Sequence, residues 1–376
     1  MYKSQVISIN DVPQNVLGII FSHLDHGDRF RASLVNKNWC YVFKNSSNLW
    51  KSFHFKFLTK RKLPNMRCLR AIGKFICNLY IEVNPEMKAC RQSALYAINY
   101  FARQTKRRIV AFKLHFKDQC HFYNEFNEAI NNLLTLPVES GISCRSLVEV
   151  ELIGRYYGFD EKLIIVLVEN HNKTLKKLYL HNLFFADDIN ADMSKFVISN
   201  CHQLTHLGLP GFSINDEVVS AITQPEDRLK LQKFVILCSF NQMYIARTSS
   251  KAWRRLVTHS KDLKVSLIFD YACPMRVAMK VFRPEIPVSE LTLETWAKKV
   301  HHFIKLALKY YRSSLTKLSI TCPEQHDELF EKELINVAQC CFRLSSLHIR
   351  SPISENTISK ISSLRPDLKD LKLYTQ

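Results

Sequence analysis

Glycine is scarce, with 8 in 376 residues. Neither G-x-x-x-x-G-K-[ST] nor G-x-G-x-x-G occurs, which excludes a nucleotide cradle built on glycine loops. No apolar run approaches the ~20 residues that span a bilayer. The opening MYKSQVISIND lacks the apolar core of a secretion signal. The expectation is therefore a chain of the cytoplasm, the nucleus or both, with no membrane partner. The 12 cysteines never fall as C-x-x-C, and Cys340 and Cys341 are adjacent, so zinc-module spacing is absent. In a reducing compartment such cysteines are read as small buried hydrophobes rather than disulfide partners. G-x-S-x-G, H-E-x-x-H and EF-hand patterns are missing as well. Cys120-His121 and Cys201-His202 are neighbours in sequence, unlike a nucleophile and base brought together by a fold. His301 and His302, adjacent on a helical pattern, point in different directions and do not suit joint metal ligation. The sequence implies no catalytic residue, no metal and no cofactor.

Charge is abundant and one-sided. Lys+Arg number 53 against 34 Asp+Glu, a net +19, while 47% of residues are apolar, enough for a packed core. Residues 51–74 hold eight Lys/Arg and no acid; residues 103–117 hold six and no acid. Both runs read as solvated basic faces or patches matched to an acidic protein partner. Lys60-Arg61-Lys62 and Lys106-Arg107-Arg108 also have the composition of nuclear-import signals. No nucleic-acid recognition motif accompanies the charge.

Residues 12–50 pattern as a short helical module. Pro13 suits a first helical turn, and Asp11 stands ready to cap it. Val16, Leu17, Ile20, Phe21 and Leu24 then form a stripe of helical period. Asp28 is placed to cap a second helix bearing Phe30, Leu34 and Val35, and a third carries Trp39, Val42 and Phe43. Some forty residues bury too little surface to stand alone, and they show more large apolar side chains than three short helices hide, which calls for a partner surface. The segment closely resembles an F-box: Pro13, Val16, Leu17, Ile20, Phe21, Ser22, Leu24, Asp28, Ala32, Val35, Lys37, Trp39, Leu49 and Trp50 match in order and spacing. Val12, Asn15 and Asn36 depart from the usual Leu, Glu and Cys. The resemblance implies docking on the Skp adaptor of cullin–RING ubiquitin ligases, with Pro13, Val16, Leu17, Ile20, Phe21, Leu24, Leu34, Val35 and Trp39 as contacts.

The remainder repeats L-x-x-L-x-L: Leu175/Leu178/Leu180, Leu204/Leu207/Leu209, Leu231/Phe234/Ile236, Leu315/Leu318/Ile320, Leu344/Leu347/Ile349 and Leu368/Leu371/Leu373, with weaker copies at Ile76, Ile109 and Leu147. From Leu152 to Leu373 the steps run 28, 29, 27, 31, 26, 27, 29 and 24 residues, the period of leucine-rich repeats. Helical patterns with polar starts, such as Asn215–Ile222 and Ser354–Ile361, lie between the strands, and the strongest spans Trp296–Tyr311. The expected fold is α/β: a three-helix F-box at 8–54, a basic linker at 55–70, then a curved leucine-rich-repeat solenoid at 71–376. The long gap after Leu114, with Phe122, Phe126, Ile130 and Leu133, reads as an insertion at 117–146 projecting from the array. Cys201 and Cys341 stand three residues before a repeat leucine, and the whole layout resembles F-box proteins with irregular leucine-rich repeats.

Residues between the repeat leucines face away from the core. Lys177, Tyr179, His181, His206 and Lys233 are the candidate target-binding residues, because adjacent rungs give a polar patch with an aromatic anchor. The resemblance implies a non-catalytic substrate receptor. Through the adaptor it meets the cullin and RING subunits indirectly, and its array holds an unidentified protein marked for ubiquitination and proteasomal degradation. The alternatives are a non-catalytic interaction scaffold, or a basic repeat protein that binds nucleic acid.

Overall fold

Helix α1 (Gln14–Ser22) starts at Pro13, the residue before its first turn. Helix α2 (His26–Ala32) is capped by Asp25, whose carboxylate accepts the Asp28 N–H at 2.7 Å. Asp28 lies in the first turn rather than at the cap where the sequence pattern placed it; both positions offer a carboxylate to the helix N-terminus, and only Asp25 precedes it. Asn36 caps α3 (Lys37–Asn45) by accepting the Trp39 N–H, and α4 (Ser47–Trp50) is a single turn. The computed structural model describes residues 9, 12–60, 66, 68–117, 121–136, 145–154, 160–182, 190–224, 229–239, 248–271, 273, 279–295, 300–323 and 328–373.

Directly after α4 the chain enters β1 (Ser52–Phe57), where Phe53, Phe55 and Phe57 are buried and the residues between them are not. This is strict two-residue alternation. The boundary drawn at 54/55 from the sequence thus falls inside a strand, and residues 55–57 belong to the sheet, not to a linker. The basic residues interleaved with the phenylalanines masked that alternation.

Eleven more strands follow: β2 (Asn78–Val83), β3 (Ala111–Phe116), β4 (Glu149–Gly154), β5 (Lys177–Asn182), β6 (His206–Pro210), β7 (Lys233–Cys238), β8 (Lys264–Phe269), β9 (Val288–Glu294), β10 (Lys317–Thr321), β11 (Ser346–Arg350) and β12 (Asp370–Leu373). They form one 12-stranded sheet in sequential order, parallel throughout. Helices α5 (Cys68–Ile72), α6 (Lys88–Ala102), α7 (Tyr123–Leu134), α8 (Glu161–His171), α9 (Ala191–Asn200), α10 (Asp216–Ile222), α11 (Ser250–His259), α12 (His301–Tyr311), α13 (Glu328–Cys340) and α14 (Glu355–Leu364) lie in every crossover but the one from β8 to β9. Parallel crossovers of one hand with strands in sequential order put every helix on the same face. The repeat leucines point at these helices and are buried, except Leu368, Leu371 and Leu373 of the last repeat, which are partly buried. The residues between them line the opposite face, which is open except where residues such as Val235, Leu237 and Ser266 are buried. This is the α/β solenoid architecture expected of the repeats.

The repeats are stitched by recurring polar contacts. Asp160, Asn190, Asn215, Ser249 and Ser354 cap α8, α9, α10, α11 and α14. The hydroxyls of Thr205, Thr316 and Ser345 donate to the carbonyls of Lys176, Ser289 and Thr316 one repeat earlier. A Cβ at Gly73 would lie 2.8 Å from the Tyr100 ring, so a larger residue there would force that ring to shift.

Two further expectations are corrected. Helix α7 does not project: Phe126, Ile130 and Leu133 are buried, and it packs between α6 and α8 like any repeat helix. Residues 118–120 and 137–144 of that long step lie outside the described residues. The helix read as starting at Trp296 spans His301–Tyr311, and Trp296 lies outside the described residues.

His171 ties this region together. It is buried, accepts the Leu147 N–H at Nδ1 and donates from Nε2 to the Leu134 carbonyl. Burial above all, with Arg107 nearby, lowers its pKa to about 4. The unfolded chain binds this proton near pH 6.5, so the stability contribution is complete above that pH and fades as pH falls toward 4. Between pH 7 and pH 5 the urea-unfolding free energy is expected to drop by about 2 kcal/mol through this group. His171→Gln should flatten that part of the profile; an unchanged slope would refute the assignment.

Candidate functional site

Two surfaces are candidates for meeting a partner. The first is the N-terminal helical module. Leu17 and Phe21 are fully buried, and the Phe21 ring meets Trp39 edge-on at 5.3 Å. Arg29 clamps the module, donating to the carbonyls of Phe21, Ser22 and Leu49 while lying over the Trp50 ring. Leu17 and Phe21 are therefore core, not contact residues, which corrects their place among the surface candidates. An apolar stripe of helical period does not say which of its sides is inner when apolar residues flank both.

The outward residues are others. Of the 14 exposed large apolar side chains among the described residues, eight lie in this module: Ile9, Val16, Ile19, Ile20, Phe30, Leu34, Val35 and Tyr41. Leu34 is 71% exposed, Ile19 61% and Val35 60%, so the surplus sits here rather than being scattered over the surface. Val16, Ile19 and Ile20 share one side of α1 by their i, i+3, i+4 spacing. Pro13 is also exposed, and Leu24 and Trp39 are half-buried. Ile19, Phe30 and Tyr41 were not among the sequence candidates for contact, although their apolar character was legible. The Trp39 indole nitrogen is buried without a hydrogen-bond partner.

The second surface is the open face of the sheet. Lys113 bridges Glu149 at 2.5 Å and Glu151 at 3.0 Å, and Lys177 reaches Glu149 at 3.6 Å. Lys117 meets Glu82 at 2.7 Å. His115 Nε2 donates to Glu151 at 2.9 Å, which leaves Nδ1 to accept the Tyr80 hydroxyl at 2.7 Å in the neutral ring. Burial alone would raise the Glu151 pKa; hydrogen bonds from His115 and Lys113 outweigh it and hold the carboxyl at about 2. Farther along, Lys233 spans β8 to Glu290 at 2.8 Å, and His348 and Lys372 share Asp370.

The register brings three sequence candidates into one row, Lys177 beside His206 beside Lys233. His206 bonds Thr205, and burial followed by the two flanking lysines lowers its pKa. Tyr179 is half-buried, and burial with the nearby Glu151 and Glu149 raises its hydroxyl to about 12. His181 lies in β5 opposite Ile153, and its side chain is outside the described region. Lys177 is thus already engaged by a carboxylate of the adjacent strand and Lys233 by one two strands away, a pairing invisible in a linear reading.

The basic runs are similarly committed in part. Arg107 is buried and donates to the Thr135 carbonyl, and Lys113 and Lys117 serve the ladder above, so residues 103–117 are not a uniformly solvated face. Arg61 and Lys62 lie outside the described residues. The thiols of Cys201 and Cys341 are pushed up to about 12 by burial. No helix among the described residues is long and apolar enough to cross a membrane.

A helical module with a surplus of exposed apolar residues thus runs into a parallel strand–helix array of leucine-rich-repeat architecture. Residues 9–56 match the F-box-like family model. The chain is 23% identical over 369 residues to human F-box/LRR-repeat protein 8, spanning 97% of this chain and 94% of that protein. It is 22% identical over 361 residues to mouse F-box/LRR-repeat protein 21, spanning 92% of this chain and 77% of that one.

Proposed function

We propose that this chain is the target-recognition subunit of a Skp–cullin–F-box ubiquitin ligase. Val16, Ile19, Ile20, Leu34 and Val35, with Pro13, Leu24 and Trp39 at the margin, dock on the Skp adaptor. The open face, including Lys177, Tyr179, His181, His206 and Lys233, holds the target. A cullin and its RING partner, reached through the adaptor, transfer ubiquitin to target lysines. The receptor contributes no reacting group; it raises the effective concentration of target near the ligase, and its targets are degraded by the proteasome in the cytoplasm or nucleus.

The observation that carries this reading is the concentration of exposed large apolar side chains on the F-box-like module. Co-expression with the Skp adaptor followed by size exclusion tests it. A single co-eluting complex that ubiquitinates a captured protein once cullin, RING and conjugating enzyme are added is the expected result. A folded chain that elutes apart from the adaptor would overturn it.

A further inference from the structure

Strand register sets two rows of very different height side by side on the open face. Ser52, Asn78 and Ala111 align across β1, β2 and β3, and the next outward row is His54, Tyr80 and Lys113, continued by Glu151 on β4. Small residues beside large ones leave a step. On its other side stands His26 from α2 of the F-box-like module. Together these residues enclose a recess of about 470 Å³, which spans the junction of the two parts of the chain.

The walls of the recess are rings held by stacking. His26 lies on Phe53 with centroids 4.4 Å apart and 13° between planes, and it also stacks with Trp50. His54 lies on Tyr80 at 3.8 Å and 12°. Charge, by contrast, is already consumed there. Lys113 is held by Glu149 and Glu151, and Glu151 by Lys113 and His115. Burial lowers the pKa of both His26 and His54, so at neutral pH both rings face the recess uncharged. The Asn78 amide nitrogen donates to Ser52 at 2.8 Å, which leaves the Asn78 carbonyl oxygen as one acceptor among the residues lining the recess.

Flat rings beside a Lys113 ammonium already held by two carboxylates do not suit a phosphate, which needs unspent cations. A lysine, which has no flat face, would leave the stacked rings unused. The walls suit a planar apolar group carrying one hydrogen-bond donor. We propose that this recess is an anchor pocket for a tryptophan or tyrosine side chain of the target protein, stacking between the His26 and His54 rings. The proposal rests on the receptor reading and names the residue class by which the target is held. Tryptophan and tyrosine are among the residues enriched where an interface concentrates its affinity.

The test uses the full chain in complex with the Skp adaptor, labelled with carbon-13 at the histidine ε1 position. The signals of His54 and His115 are identified by His54→Gln and His115→Gln. Titration with N-acetyl-tryptophanamide is expected to shift the signals of His26, His54 and His115 together, with half-saturation on the order of 1 mM for so small a probe. N-acetyl-lysinamide at the same concentration should leave them in place. Ala111→Leu, which fills the step, should weaken the tryptophanamide response at least about tenfold, the loss of one well-packed contact, while adaptor co-elution persists. Absence of shifts, equal shifts with the lysine amide, or an undiminished response in folded Ala111→Leu would each overturn the pocket. If the pocket fails while the adaptor complex forms, only this inference falls. If the chain alone binds the probe and ignores the adaptor, the receptor reading falls and the pocket stands.

Discussion

Replacing Leu34 and Val35 together by glutamate is expected to abolish co-elution with the Skp adaptor without unfolding the chain. Both side chains are more than half exposed, so the folded chain gives up almost no packing when they change. Surface substitutions of this kind stay within about 0.5 kcal/mol of the parent stability. At an interface the same change forces two carboxylates into a desolvated apolar contact. Apolar anchors in such contacts are worth about 2 kcal/mol or more each, so the pair should weaken binding by at least about 100-fold. Leu17→Ala and Phe21→Ala are the informative contrast. They also lose the adaptor, but by opening cavities in the module, each costing about 2–5 kcal/mol of stability. Circular dichroism and thermal melting separate the two mechanisms. Undiminished co-elution of the double glutamate variant would remove Leu34 and Val35 from the contact.

The second large effect is expected at Trp50. Its ring is 1% exposed, packs edge-on against Phe43 at 4.8 Å and meets Phe53 at 5.9 Å. Its indole nitrogen donates to the Phe43 carbonyl at 2.6 Å. The residue therefore touches the third helix of the module and the first strand of the sheet at once. Trp50→Ala should cost about 3–5 kcal/mol in urea unfolding. Trp50→Phe keeps the ring contacts and loses the hydrogen bond, leaving a buried carbonyl unpaired at a cost of about 1–3 kcal/mol. Equal midpoints for parent and Trp50→Ala would mean that module and array do not share a core at this residue.

The strands from β2 onward could be read from sequence, because an L-x-x-L-x-L unit, even in weaker copies such as those at Ile76 and Ile109, states both the alternation and the buried face. Strand β1 was obscured because its alternation uses phenylalanine with lysine and histidine between, inside a run whose charge argued for solvent. Helix α7 was mistaken for an insertion because a long step between repeat leucines is equally consistent with longer loops, and only packing against α6 and α8 decides. In the helical module the sequence marks which residues are apolar but not which are needed inside; Ile19 and Leu17 differ only in the direction they point. On the open face, pairing such as Lys233 with Glu290 depends on register between strands far apart in the chain. A linear reading holds the residues and omits the distances.

Between Trp50, the last residue of α4, and Ser52, the first of β1, there is one residue. A joint so short leaves no hinge, so helical module and sheet turn as one lever. Eleven inter-strand steps of about 4.8 Å place β12 roughly 50 Å of sheet from that joint. A tilt of ~5° at the joint would then sweep the far strand by about 4 Å, close to a full strand spacing. The rings that fasten His26 and Trp50 to Phe53 thus set the aim of the whole array. Where a target lies relative to whatever the helical module grips is fixed by angle, not by tether length.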